Sequence, residues 1–445
     1  MHRAPIITVF RLLRLLVISL FGVAAPGPGQ GHDGPAAPVR GQTARAPHEA
    51  HLQSLLHTAV RDGLPGVSLR VKGPGVDFQG AAGAADLLTR EPLTAEHVLY
   101  VASLGKTFTA VLALQLWEEG RLALDEPITT WLPGDATTRI PSSETITLRH
   151  LLSHTSGVID YMNDDTAWRA DFVRSPHRRW NHSDVVPYLY DKPLLFRPGT
   201  AYHYSNSNYI LVGHILERVS GQPFHALMRT RILAPLALKH TFNGRESSAG
   251  EKRAHGYIRR RGRVIDTYPW YSDYGLADSG MHSTPGDLVR FMEALFTSET
   301  LLSEAVRGQM TAVPESSPAR SQYGLGIFIH RNPWGTGRWY THDGIDPGYQ
   351  ADMIHVPDLG LTIALAANAS LGRADDVYER LIMAAVRLAL DAARLRRRAD
   401  TLRDGGCRGW HPAGAAARLR RREAPVRLLS SGTGKQSQGA RSRCR

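Results

Sequence analysis

Ser103 and Lys106 stand three residues apart at the head of the apolar run VASLGKTFTAVLALQLWEEG, from Val101 to Gly120. Positions i and i+3 of a helix share a face, so the serine Oγ and the lysine Nζ can come within hydrogen-bond reach. A serine hydroxyl is a poor nucleophile until a base removes its proton, and a lysine amine serves only where burial or cationic neighbours lower its pKa. The apolar run supplies that burial. A helix amino end adds free N–H groups and the positive end of the dipole, which favour an alkoxide and a developing oxyanion. The plainer alternative is a helix cap at Ser103 with a solvated first-turn lysine. Of the six lysines in the chain, Lys106 alone has a serine three residues before it.

Tyr204 and Asn206 form a second component, two residues apart in FRPGTAYHYSNSNYILVGHILERVSG and just ahead of an apolar helical pattern. On an extended segment that spacing puts both side chains on one side. A phenol can shuttle a proton once neighbouring cations lower its pKa, and an amide can hold both a lysine and a substrate carbonyl. Tyr161 and Asn163 have the same spacing, but Phe196, Pro198 and Gly199 ahead of Tyr204 favour the later pair. His342, Asp343 and Gly344, in RWYTHDGIDPGYQADMIHVP, form a third component on a late strand edge. Glycine there lets a substrate approach the backbone closely. A second His-Asp-Gly, at His32 to Gly34, falls in a linker-like stretch, so order and setting carry the assignment.

The elements that must position these groups follow from periodicity. HLQSLLHTAVRDG places Leu52, Leu55, Leu56 and Val60 on one helical face and stops at Gly63. GVSLRVKG and VDFQGAAG alternate as short paired strands. From about Leu122 to Phe296 the pattern is mostly helical, and strand patterns return between Tyr323 and Asn368 before a helix from about Asp375 to Arg398. The fold class expected is α/β, an antiparallel sheet flanked by helices with an inserted, mostly helical subdomain. The sheet part takes about 48–102 and 297–390 and the helical part about 103–296. The cleft between them is the expected place for chemistry.

In chain order, Ser103-Leu-Gly-Lys106, Tyr204-Ser-Asn206 and His342-Asp-Gly344 resemble the three motifs of the serine β-lactamase and penicillin-binding fold. The Tyr-x-Asn form resembles most the class C-like members: D-alanyl-D-alanine carboxypeptidases, D-aminopeptidases and related esterases. The resemblance runs from about His48 to Leu390 and includes LLSHTSG at Leu151 to Gly157, SGMHSTPGDLVRF at Ser279 to Phe291 and YGLG at Tyr323 to Gly326. It implies a β-lactamase/transpeptidase-like fold and a two-step acyl transfer without a cofactor. Ser103 would attack a carbonyl, Lys106 and Tyr204 would move protons, Asn206 would orient the substrate, and His342 would complete the catalytic group. The oxyanion would lie between the backbone N–H groups of Ser103 and Ile345, with Asp343 and Gly344 at the substrate.

The pattern departs from the family at one place. In its carboxypeptidases the middle residue of the third motif is typically Thr, which helps to bind a terminal carboxylate, and here it is Asp343. Their helper Arg falls, by counting, on Phe328, with His330 and Arg331 nearby but differently phased. An anionic side chain at that place repels a carboxylate. The expectation is therefore a serine hydrolase, carboxypeptidase-like or β-lactamase-related. The alternative is an esterase or D-aminopeptidase for substrates without a C-terminal carboxylate, with Asp343 or another acid receiving a cationic group. A penicillin- or peptidoglycan-binding protein that acylates and releases product slowly is the second alternative. Small peptides, esters or β-lactams are the expected partners.

Hydrophobic residues at 42% and charged residues at 21% exclude a disordered chain. The net charge of +12 does not mark a nucleic-acid binder, because residues 391–445 hold fourteen Arg and one Lys against four acidic residues. That Arg-rich tail, 391–445, is read as a disordered, solvated appendage able to touch cell-wall polymer or a membrane surface, and no nucleic-acid partner is expected. Residues 1–25 have the layout of a secretory signal, with Arg3, Arg11 and Arg14 before a short apolar run. The run falls short of the roughly 20 residues of a spanning helix, although a retained anchor is the alternative. Residues 26–47 read as a Pro- and Gly-rich linker. The protein is expected to be exported, periplasmic or secreted. Cys407 and Cys444 both lie in the tail, so the domain before it has no internal disulfide. No metal site is expected, since no His-Glu-x-x-His occurs among the 20 histidines.

Overall fold

The computed structural model describes residues 47–406, apart from 133, 176–177, 247–250, 319–321, 332–336 and 371. The signal expected at 1–25, the linker up to residue 46, and both cysteines lie outside the described residues. Contacts divide the chain into Met1–Arg398 and Ala399–Arg445. The sheet, its core and the site described below belong to the first unit.

Helix α1 (Pro47–Arg61) leads into the antiparallel pair β1 (Gly66–Gly73) and β2 (Val76–Asp86), followed by the short β3 (Glu91–Pro92) and β4 (Leu99–Tyr100). A 3₁₀ turn, Ala102–Leu104, opens directly into α2 (Gly105–Glu118). The middle of the chain contributes α3 (Leu148–Leu152) and α4 (Asn206–Ser220) among shorter helices, then β5 (Phe242–Asn243), the hairpin β6 (Tyr257–Arg260) and β7 (Arg263–Asp266), and β8 (Met281–Ser283). Helix α5 (Pro285–Thr297) precedes β9 (Gln322–Tyr323), β10 (Phe328–Arg331), β11 (Arg338–Asp346), β12 (Tyr349–Val356), β13 (Leu361–Ala367) and α6 (Arg373–Gly406).

One eight-stranded antiparallel sheet has the order β3-β2-β1-β13-β12-β11-β10-β9, so strands from both ends of the sequence meet where β1 pairs with β13. The period-2 alternation of β13 shows what each face does. Leu361, Ile363, Leu365 and Ala367 pack with Leu52 and Leu56 of α1 and Tyr378, Ile382 and Val386 of α6. Ala364 and Ala366 turn to the opposite core, with Phe108 of α2 and Leu288 and Phe291 of α5.

Two boundaries differ from the expectation. Helix α5, assigned above to the helical part, packs against β1, β12 and β13. The segment between α4 and α5 also supplies β5 and β8 to a three-stranded sheet, β4-β8-β5, whose strands are too short to show a period. The tail expected from residue 391 is helical as far as Gly406. Its apolar face continues past Leu390, with Ala392 and Ala393 buried in the core beneath α6.

Candidate active site

The sequence at the head of α2 folds so that Ser103 caps nothing. Ser103 is the middle residue of the 3₁₀ turn, Leu104 is the N-cap of α2, and no side chain caps either segment. Ala102, immediately before the serine, has φ +48°, a left-handed conformation that is costly for a residue with a Cβ. Ser103 remains half-buried, while Gly105 to Leu114 of α2 are buried all round. Such a helix belongs inside a protein, and its polar residues are tied down accordingly. Thr107 donates to the Gly326 carbonyl at 2.8 Å and Thr109 to that of Ala277 at 2.7 Å.

Lys106 is therefore not solvated: its exposure is 0%. Its Nζ donates to Ser103 Oγ at 3.0 Å, to Asn206 Oδ1 at 2.7 Å and to the backbone carbonyl of Asp278 at 2.7 Å. Burial pushes its pKa below the ordinary lysine range, while the carboxylates of Asp278, Asp160, Asp346 and Asp343 oppose that shift. Lys106 Nζ also lies 5.1 Å from the centre of the Tyr204 ring.

Asn206 is the first residue of α4, after Ser205 in extended conformation. Its amide nitrogen donates to Asp160 Oδ2 at 2.9 Å. Asp160 also accepts from the Met162 N–H and from Asn163 Nδ2, at 2.9 and 2.7 Å. The earlier Tyr161 and Asn163 pair thus has a place beside the site rather than in it. Asn163 holds Asp160, and the buried Tyr161 donates to Asp278 Oδ2 at 2.9 Å.

Tyr204 is half-buried just before α4, with Ser103 beside its phenol. The expectation that cations lower its pKa is corrected here. Burial raises the phenol well above its ordinary value, and the neighbouring Ser103 offsets only part of this. The resting side chain is a neutral phenol.

The structure brings Ser103, Lys106, Tyr204 and Asn206 together, and it treats His342 differently. His342 is buried, and its Nδ1 lies 2.7 Å from the Asp343 carbonyl, which can only accept. The proton therefore sits on Nδ1, and Nε2 accepts from the Tyr323 hydroxyl at 3.0 Å. Burial pulls its pKa down to about 3, followed by the charge of Lys106. His342 is a neutral ring packed on Tyr323 and Phe328, without a hydrogen bond to Ser103 or Lys106. Phe328, where the helper Arg was counted, stacks on Tyr204 with 6° between the rings.

Strand β11 pairs with β10 only up to Thr341, so one edge of His342 to Asp346 extends beyond β10. The Ser103 turn sits against that stretch. A Cβ on Gly344 would lie 2.3 Å from the Val101 carbonyl and 3.0 Å from the Ser103 nitrogen, so glycine is required for this approach. Ile345 follows it, half-buried and paired with Gln350 of β12. Asp343 is half-buried and stands opposite Asp352 in the β11–β12 register. Further along, Asp346 accepts from the Tyr100 hydroxyl at 3.0 Å, and burial raises its pKa to about 7.

Three carboxylates, Asp160, Asp278 and Asp346, were missed by sequence reasoning. Asp160 follows LLSHTSG and Asp278 precedes SGMHSTPGDLVRF, yet no spacing singles them out among 41 acidic residues. Lys106 is the cation they surround, and among the described residues no group of His, Cys, Asp and Glu converges as a metal site.

A family model described as Beta-lactamase matches residues 48–387. Penicillin-binding protein 4* of Bacillus subtilis (strain 168) is 29% identical over 351 residues, which cover 75% of this chain and 74% of that protein. The crystal structure of a D-stereospecific amidohydrolase from Streptomyces sp. is similar with a TM-score of 0.63 and 32% identity, covering 72% of this chain and 94% of its own. The D-amino acid amidase from Ochrobactrum anthropi SV3 is similar with a TM-score of 0.67 and 27% identity, covering 78% of this chain and 99% of its own.

Proposed function

We propose, from the premise that the chain belongs to the Beta-lactamase family of serine hydrolases, that Ser103 is the nucleophile of a two-step acyl transfer on a small amide or ester whose acyl part carries a free amino group. The observation that carries this reading is the 3.0 Å contact between the Ser103 hydroxyl and a lysine of 0% exposure. Lys106 without its extra proton takes the hydroxyl proton as Ser103 Oγ bonds to the substrate carbonyl carbon. The electron pair displaced onto the carbonyl oxygen is received by the N–H groups of Ser103 and Ile345. When the tetrahedral adduct collapses, the scissile C–N or C–O bond breaks. The leaving group takes the Tyr204 phenolic proton, and the Lys106 ammonium replaces it. Water then adds to the acyl carbon and passes a proton to the same pair; as the second tetrahedral adduct collapses, the bond from the acyl carbon to Ser103 Oγ breaks, the pair returns the proton to Oγ, and the acid leaves. Asn206, with one amide proton on Asp160, has the other for the substrate.

The charge around Lys106 supports the substrate class. Four carboxylates act on it, and two of them, Asp343 and Asp346, belong to half-buried residues of β11. A substrate carboxylate would add negative charge to these acidic surroundings, whereas an ammonium group would be attracted. The likeness to an amidohydrolase and an amidase named for D-stereochemistry favours D-amino-acid amides. The test compares kcat/KM for D-phenylalaninamide, its N-acetyl derivative and a D-alanyl-D-alanine peptide. The free-amine amide is expected to be at least about tenfold better than either; preference for the carboxypeptide would overturn the reading.

For the ends of the chain we propose export with removal of residues 1–25, to be checked by amino-terminal sequencing of the mature protein, which should begin near Pro26. The Arg-rich tail is proposed to contact anionic surfaces, and loss of co-sedimentation with anionic vesicles on deleting residues 407–445 is the expected result.

A further inference from the structure

His154, in the LLSHTSG stretch, is not used by the acyl-transfer chemistry, yet it has the features of a designed position. Its φ is +59°, a conformation rare for any residue with a Cβ, and its exposure is 0%. Its carbonyl accepts the His203 N–H at 3.0 Å, and its ring Nδ1 accepts the Ser205 N–H at 3.1 Å. These two bonds grip the backbone on either side of Tyr204. The imidazole itself lies against the Tyr204 ring, with centroids 4.2 Å apart and 33° between planes.

The tautomer of the ring follows from its neighbours. Asn208 Oδ1 accepts from the Ser156 hydroxyl at 2.6 Å, so the Asn208 amide nitrogen faces His154 Nδ1, 3.1 Å away, and donates. With two donors aimed at it, Nδ1 cannot carry a proton. The proton must be on Nε2, which is buried without a hydrogen-bond partner among the described residues. A buried N–H left unmatched is destabilising, and a positive φ adds to that cost. Features that cost stability and persist beside a reacting group point to what they hold in place.

We infer that His154 is a positioning residue for Tyr204, a neutral Nε2–H imidazole that clamps residues 203–205 through its carbonyl and Nδ1 and sets the plane of the phenol with its ring. The inference rests on the Ser103 acyl-transfer reading. It separates two parts of the clamp. His154→Asn keeps an acceptor near the position of Nδ1 and tolerates positive φ, but removes the ring. His154→Phe keeps the ring and removes the acceptor.

The test is a double-mutant cycle against Tyr204→Phe, with steady-state kinetics on the amide substrate and thermal melting of every variant. Each His154 substitution is expected to lower kcat by about 10- to 100-fold with KM changed by less than about threefold. In the Tyr204→Phe background the same substitution is expected to cost less than about twofold, because the group it positions is gone. Equal losses in both backgrounds would overturn the inference, since a general structural role does not depend on the phenol. If neither variant folds, nitrogen-15 histidine spectra of the unsubstituted protein decide. An unprotonated Nδ1 at neutral pH is expected, and a protonated one would overturn the clamp. Turnover that survives Ser103→Ala would sink the serine reading and this inference with it, whereas Ser103-dependent turnover with additive losses would sink this inference alone.

Discussion

Asn206 accepts a 2.7 Å hydrogen bond from Lys106 on its oxygen and donates one of 2.9 Å to Asp160 from its nitrogen. A carboxylate accepts and an ammonium donates, so flipping the amide would set like groups face to face. The orientation of Asn206 is thereby fixed, and with it the direction in which Lys106 meets Ser103.

Replacing Lys106 by Met keeps much of the stem's bulk and removes the base. The acylation rate, followed by stopped flow with a p-nitrophenyl ester, should fall by about 100- to 10,000-fold. A rate within about threefold of the unsubstituted protein would assign the proton transfer elsewhere.

The carboxylate of Asp160 raises the Lys106 pKa against the burial that lowers it. Asp160→Asn removes that charge, so Lys106 should lose its proton at lower pH. The acidic limb of the kcat/KM profile should move to lower pH, together with a loss of rate because the amide of Asn206 is no longer pinned. A limb that stays in place or moves upward would exclude Lys106 as the group that must be neutral.

These relationships mark where the sequence is informative. The pairing of Ser103 with Lys106 is legible because residues three apart share a face in a 3₁₀ turn as in an α-helix. The sheet is legible because β1 and β2 alternate and β13 is apolar or β-branched over its length. What could not be read depends on contacts distant in sequence. Tyr204 could be preferred to Tyr161 from the residues ahead of it, but the sign of its pKa shift depends on what the fold packs around the phenol. The carboxylates come from three separate segments, and only the folded chain puts Asp160, Asp278 and Asp346 around one lysine. The 3₁₀ turn at Ser103 is likewise a tertiary outcome, since Gly344 of β11 presses against it.

Asp346 offers a stability test. Its pKa is raised from 3.8 to about 7 in the folded protein, with burial the largest cause. Between those values the folded state binds more protons than the unfolded one, so this carboxyl lowers stability as pH rises through that window. Asp346→Asn removes the titration. Denaturant unfolding at about pH 4 and about pH 7.5 should show a smaller decline for the variant than for the unsubstituted protein. An equal decline would place the titration on other groups.

Gly344→Ala tests the approach of β11 to the nucleophile turn. The added Cβ would stand 2.3 Å from the Val101 carbonyl, which belongs to rigid backbone. The strand must shift, at a cost of about 1–3 kcal/mol in stability and about 10- to 100-fold in kcat through the displaced oxyanion donors. Full activity in a folded variant would mean that Ile345 is not one of those donors.

The most direct test of the central claim is intact-mass analysis of the protein, unsubstituted and Ser103→Ala, quenched during reaction with a p-nitrophenyl ester and separately with a β-lactam. The account predicts a covalent acyl adduct on the unsubstituted protein, localised to Ser103 by peptide mapping, that decays as product forms and is absent from the variant. An adduct of equal yield on both proteins, or one mapped to a different residue, would contradict it.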